Sequence, residues 1–303
     1  MTRKNIPSEL VPKSFLYTPL YIAASLGLYP ERLSSSHIIF DLGGVLLNLS
    51  SWSMARHVGL FKMLCCMLRL RHKPRDLFFK ALDDVDLPAI HNNNVCDESG
   101  RAAPKAMLHW FLGAVTCEEV RHAVDRFVDN NQQQYNRAEK TFIRSVVCSI
   151  FDPVLFAQSA SINKEGLRFV LDCIAQGHKV YILSNWDAES FYYLKLRFPE
   201  IFELFDGIVI SGHAGAAKPD PAIFYCLLDN YDIDPDNAVF IDDQDENLKS
   251  AELLGIHPIK CPKHGRFFPR TDFSAVRTSF ESWYIERMLK EHQEQRRRRY
   301  PAF

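Results

Sequence analysis

Long apolar stretches are missing from this sequence: no uninterrupted apolar run reaches the roughly 18–20 residues that a membrane span requires. An excess of charge is missing too, because 36 Lys+Arg stand against 37 Asp+Glu. The body of the protein therefore has no electrostatic reason to sit on nucleic acid or an anionic membrane, and a small-molecule partner is the default that remains. The eight cysteines occur singly apart from Cys65-Cys66, with no C-x-x-C spacing. That excludes the usual zinc and redox motifs and leaves reduced, mostly buried thiols in a cytoplasmic protein. Cys117/His122 and His91/Cys96 are five residues apart, a spacing that does not align two ligands on one helix face. Internal repeats and low-complexity tracts are also absent.

What is present is 303 residues, 47% of them apolar, enough for one large domain and a smaller one. Arg3, Lys4 and Lys13 flank or precede the apolar stretch Phe15 to Tyr29, loosely in the manner of a signal peptide, but Glu9 and Pro19 argue instead for an N-terminal extension, residues 1–36, packed against the core. From His37 a short, continuously apolar strand, HIIFD, runs into Gly43-Gly44, the pattern of a buried parallel strand ending in a tight loop. The second half alternates helix and strand. A helix over Asn163 to Gln176 ends at Gly177 and is followed by strands at His178 to Ser184, Gly207 to Ser211, Ala238 to Asp242 and near Ile256 to Cys261, with helices near Ala188 to Arg197, Pro221 to Asn230 and Glu246 to Leu254 between them. Strict βα alternation predicts a doubly wound parallel sheet, built from residues 37–48 and 161–262.

Between these pieces, residues 49–160 turn helical and amphipathic. An insertion of that size cannot be a loop, and an α-helical cap over the carboxyl ends of the strands is expected. The stretch Gly59 to Arg75, apolar and then basic, fits a cap helix or a membrane-surface helix, and the cap is the simpler reading. Residues 263–303 are expected to form a helix near Ala275 to Gln295 with a basic end, Arg296 to Arg299, read as a solvated tail.

Four signals converge on strand ends, where open α/β sheets bind their ligands. Asp41 tips the first strand, with Gly43 and Gly44 behind it. Ser184 and Asn185 close the ILSN strand, where a hydroxyl and backbone N–H groups can hold an anion. Lys218 precedes a helix opened by Pro219 and Pro221, and Asp242-Asp243 end the AVFID strand with Asn247 beyond. Each alone is more simply a cap or a solvated charge. Two adjacent carboxylates, however, repel unless a cation or a lysine lies between them, which points to Mg²⁺.

In this order the signals FDLGG, LSN, the KP lysine and DD followed by Asn resemble the haloacid dehalogenase (HAD) superfamily, over residues 37–48 and about 163–261. The pattern is most similar to a branch containing sugar-1-phosphate phosphatases and to the phosphatase domain of mammalian epoxide hydrolases. The resemblance implies a phosphatase acting on a small-molecule phosphate ester, with Asp41 as the nucleophile that forms an aspartyl-phosphate. It implies Mg²⁺ held by Asp41, the Gly43 carbonyl, Asp242 and Asp243. Ser184, Asn185, Lys218 and Gly44 would surround the phosphoryl group, and Asn247 would take an outer acidic position. One departure matters: most phosphatases of the superfamily have a second aspartate, the general acid, two residues after the nucleophile, where this chain has Gly43. His213, in the SGHAG segment, is a candidate replacement or a loop histidine without a chemical role. A metal-independent 2-haloacid dehalogenase-like hydrolase and a binding protein that kept the fold remain as alternatives.

Overall fold

The computed structural model describes residues 35–49, 68–88, 95, 102–264 and 270–299. The stretch Phe15 to Tyr29, most of Gly59 to Arg75, His91 and Cys96 lie outside the described residues. In chain order, β1 (His37–Phe40) and a three-residue β2 (Leu47–Leu49) precede five helices: α1 (Pro74–Asp83), α2 (Lys105–Phe111), α3 (Cys117–Asn130), α4 (Arg137–Ile150) and α5 (Pro153–Ser159). Then follow β3 (Ala160–Ile162), α6 (Lys164–Ala175), β4 (Lys179–Ser184), α7 (Ala188–Arg197), α8 (Pro199–Phe202), β5 (Gly207–Ile210) and α9 (Ser211–Ala214). The chain continues through α10 (Pro221–Tyr231), β6 (Ala238–Asp242), α11 (Asp245–Leu253), β7 (His257–Lys260), β8 (Lys263–His264), β9 (Arg270–Thr271) and α12 (Phe273–Arg299).

Five strands form one parallel sheet in the order β5-β4-β1-β6-β7, with the first strand at its centre. This is the expected α/β architecture. The apolar runs are continuous because both faces are covered. Ile38, Phe40, Val180, Ile182, Val239 and Ile241 face one core. Ile39, Tyr181, Leu183 and Phe240 face the other, as the two-residue period of a strand requires. Each such side chain stabilises the fold by about 1.5–3 kcal/mol relative to exposure. The second core is closed by Ile223, Phe224 and Leu227 of α10 and by Leu248 and Ala251 of α11.

Helices α3, α4 and α5 of the insertion start with side-chain caps. In α3 Thr116 and Glu119 form a reciprocal capping box, and in α4 Asn136 and Glu139 do the same, each satisfying N–H groups that the first turn leaves without partners. The insertion is tied to the sheet by polar contacts. Ser211 Oγ donates to the Phe111 carbonyl at 2.6 Å, Cys117 N–H donates to Glu189 at 2.5 Å, and Arg197 Nη1 reaches the carbonyls of Ala157, Gln158 and Ala160 at 2.7–2.8 Å.

Several features differ from the sequence expectation. Leu47–Leu49 and Ala160–Ile162 pair antiparallel as a ribbon where the insertion leaves and rejoins the sheet; three residues are too few to show a strand period. Ser211 opens a helical turn instead of ending β5, so His213 lies on α9 and not in a loop. The C-terminal helix runs over Phe273–Arg299, longer than the expected Ala275 to Gln295, and is anchored: Phe273, Val276 and Phe280 join the main core, and Arg277 pairs with Asp172 of α6 at 2.7 Å. Among the described residues no single helix is long and apolar enough to cross a membrane.

Candidate active site

The three central strands deliver the site. Because β4, β1 and β6 are neighbours in register, Phe40 lies between Ile182 and Ile241, and the residues just beyond come together at the carboxyl edge. Asp41 follows β1 directly, its N–H donating to the Ile241 carbonyl at 2.9 Å, while Ser184 and Asp242 end β4 and β6. All three are buried. After Asp41 the chain turns sharply, Leu47 N–H returning to the Leu42 carbonyl at 2.7 Å and Gly44 N–H to the Leu47 carbonyl at 2.8 Å. Gly44 holds a φ of +80°, which favours glycine.

Lys218 is the hub of the site. Its Nζ lies 2.7 Å from Asp41 Oδ1 and 2.7 Å from Asp242 Oδ2, and its side chain is only 1% exposed. The lysine is placed by Asn185, whose side-chain amide accepts from Lys218 N–H at 2.7 Å and donates to the Lys218 carbonyl at 2.8 Å. Both polar ends of Asn185 are thus on the lysine backbone, and the second N–H of its amide is left over from these two bonds on a residue that lines the cavity. Asn247, expected at an outer acidic position, donates its amide to both oxygens of Asp242, at 3.2 and 3.1 Å. Gln244 N–H adds a 2.7 Å bond, so Asp242 is firmly held where it anchors Lys218.

Burial pushes Asp41 up to about 7, with the Lys218 ammonium working against it. Desolvation pulls Lys218 down, but Asp242 and Asp41 outweigh it, so the lysine is held above its ordinary value. Asp243 is raised by burial and by Asp242, and Lys263 opposes the shift. No motif marks Lys263, yet its Nζ lies 2.5 Å from Asp243 Oδ2. Of the two means expected to relieve the Asp242-Asp243 repulsion, a cation or a lysine, the structure shows lysines: Lys218, shared with Asp41, faces Asp242, and Lys263 faces Asp243. Lys263 was legible only through the strand-end rule, since it follows β7 by three residues.

Asp41, Gly43, Gly44, Ser184, Asn185, Lys218, Asp243 and Asn247 line one cavity of about 1000 Å³. Its apolar wall includes Phe79 of α1, Met107 and Phe111 of α2, Phe156 of α5 and Trp186. Trp186 is fixed by a 2.9 Å bond from its indole N–H to Ser190. His213 does not line this cavity; it packs edge-on against Phe191, 6.4 Å between ring centroids. Cys117 and His122 do not join: Cys117 is buried under Trp110, and His122 lies on the surface beside Glu118. Ligand oxygens of Asp41, Asp242 and Asp243 lie within 4.8 Å of one another, close enough to share a cation.

A family model described as haloacid dehalogenase-like hydrolase matches residues 36–255. The chain belongs to this hydrolase family. An HAD family enzyme of Bacteroides thetaiotaomicron shares the fold, with a TM-score of 0.50, 21% identity and coverage of 78% of this chain and 97% of that one. The same enzyme, with a TM-score of 0.50, 19% identity and coverage of 77% of this chain and 98% of that one, has also been solved with magnesium and inorganic phosphate. A sesquiterpene phosphatase of Aspergillus oryzae is 35% identical over 81 residues, 27% of this chain and 41% of that protein. Mouse bifunctional epoxide hydrolase 2 is 31% identical over 113 residues, 36% of this chain and 20% of that protein. The chain therefore matches less than half the length of either curated relative.

Proposed function

We propose that this HAD-like hydrolase is a Mg²⁺-dependent phosphatase that transfers a phosphoryl group from a small-molecule ester to Asp41. The observation that carries the reading is the Lys218 bridge: one enclosed ammonium holds the strand-tip carboxylate Asp41 and fixes its direction through Asp242. An Asp41 oxygen bonds to phosphorus as the ester P–O bond breaks, and the departing oxygen takes a proton from water. Water then attacks the phosphorus of the acyl phosphate, releasing phosphate and restoring the carboxylate. Ser184 and the Gly44 turn line the space for the phosphoryl oxygens, and Lys218 offsets their charge. Three carboxylates within 4.8 Å would fit a divalent cation; Asp41 and Asp243, which line the cavity, would hold it with the Gly43 carbonyl, and Asp242 would do so directly or through water. When bound, the metal supplies charge neutralisation of the transferring group. The similarity to a sesquiterpene phosphatase and the apolar wall support an ester with an apolar or aromatic organic part, and residues 49–160 serve as the cap that selects it.

The purified protein should hydrolyse an aryl phosphate with Mg²⁺ and stop reversibly in EDTA. A second reading gains from Lys263, because the acidic pair is compensated without any metal: a metal-independent 2-haloacid dehalogenase. Undiminished activity in EDTA, with halide released from a 2-haloacid, would replace the first reading by the second.

Gly43 bears on the leaving group. Without an aspartate there, the departing oxygen leaves largely as an anion, so log(kcat/KM) should fall steeply with leaving-group pKa across a series of aryl phosphates. A Cβ at Gly43 would meet only Trp186, at an ordinary 3.7 Å, so Gly43→Asp should fold, flatten the plot and raise the rate of poor leaving groups by up to roughly 10²-fold. A flat wild-type plot would reveal another acid in the cavity, where Glu165, unlike His213, is present.

A further inference from the structure

Two lysines serve the acidic cluster, and their surroundings differ. The Lys218 side chain is 1% exposed and held by two carboxylates, so it has no way out. The Lys263 side chain is 23% exposed, lines the cavity and pairs with Asp243, whose own side chain is 5% exposed. The base of Lys263 is fixed: Cys261 N–H donates to the Asp242 carbonyl at 2.9 Å, and β8 pairs with β9 through Lys263 and Thr271. Its flexible end lies against the nucleophile turn. A Cβ at Gly44 would come within 2.7 Å of both Asp243 Oδ2 and Lys263 Nζ, so the turn approaches this ion pair as closely as only glycine permits.

We propose that Lys263 is a resident, displaceable cation: its ammonium occupies the Asp243 carboxylate when no metal is bound and must swing away for a divalent cation to take that ligand. The inference rests on the metal-site reading above. Charge favours the exchange. Three carboxylates and two ammoniums leave the cluster one negative charge, and a divalent cation added while Lys263 stays would make it positive. With Lys263 displaced into the cavity, the cluster is neutral. Lys263 therefore weakens metal binding and supports the metal-free fold.

The test uses the full chain. Calorimetric titration with MgCl₂ should show Lys263→Met binding up to about fivefold tighter than wild type, the scale set by a partly exposed ion pair. Lys263→Arg should restore the weaker binding. In metal-free buffer Lys263→Met should melt below wild type, and saturating Mg²⁺ should abolish that difference. Should Lys263→Met fail to fold, wild type alone suffices: Mg²⁺ should increase the rate at which an amine-acylating reagent labels Lys263, read by peptide mass spectrometry. Equal or weaker Mg²⁺ binding by Lys263→Met, or labelling indifferent to Mg²⁺ in a protein that binds it, overturns the proposal. No Mg²⁺ binding by any of the proteins overturns the metal-site reading itself, and this inference with it.

Discussion

Asp41→Asn should leave a folded protein whose turnover falls by at least roughly 10⁴-fold, because an amide cannot act as the carboxylate nucleophile. The fold should survive for a specific reason. Lys218 serves two buried carboxylates with one charge, so neutralising Asp41 leaves Lys218 and Asp242 balanced, and the asparagine oxygen can still accept from Nζ. The melting temperature in metal-free buffer is therefore expected to match or exceed that of wild type. Kinetics on an aryl phosphate together with thermal denaturation check both halves. Activity within tenfold of wild type would remove Asp41 from the chemistry.

Lys218→Met has the opposite profile, harming the fold as well as the reaction. It strands Asp41 and Asp242 without a counter-ion in a site where the lysine side chain is 1% exposed. Breaking a buried pair from one side costs about 3–5 kcal/mol, a large share of the roughly 5–15 kcal/mol that holds a domain folded. Denaturant unfolding should show that loss, and adding Asp242→Asn to the same variant should restore much of the stability without restoring turnover. Activity should drop by about 10²–10⁴-fold at saturating Mg²⁺, since charge on the transferring group is then less well offset. A stability change below about 1 kcal/mol would mean that the two carboxylates are not both ionised beside the lysine.

The parts of this molecule that could be read from its sequence are those governed by local periodicity. Apolar runs such as HIIF and AVFID declare buried parallel strands, and residues at their ends, Asp41, Ser184 and Asp242, follow from the rule that such sheets bind at their carboxyl edge. Pairings across long separations were not legible. Asn185 looks like a residue offered to a ligand, yet it grips the backbone of Lys218, 33 residues on. Asn247 takes an outer acidic position in the motif, and the motif does not show that its amide steadies Asp242. Lys263 carries no motif, and only the close packing of the Gly44 turn, Asp243 and β8 gives it significance. The two short strands at the insertion boundaries escaped for another reason: three residues show no period.

The most direct test of the account is to look for the covalent intermediate. Wild-type protein mixed with an aryl phosphate and Mg²⁺ should be quenched in acid within a turnover, digested and examined by mass spectrometry. The account predicts one added phosphoryl group on the peptide containing Asp41, labile to hydroxylamine and absent from Asp41→Asn. Steady turnover with no phosphoryl group on Asp41, under conditions where release of the alcohol is faster than release of phosphate, would contradict it.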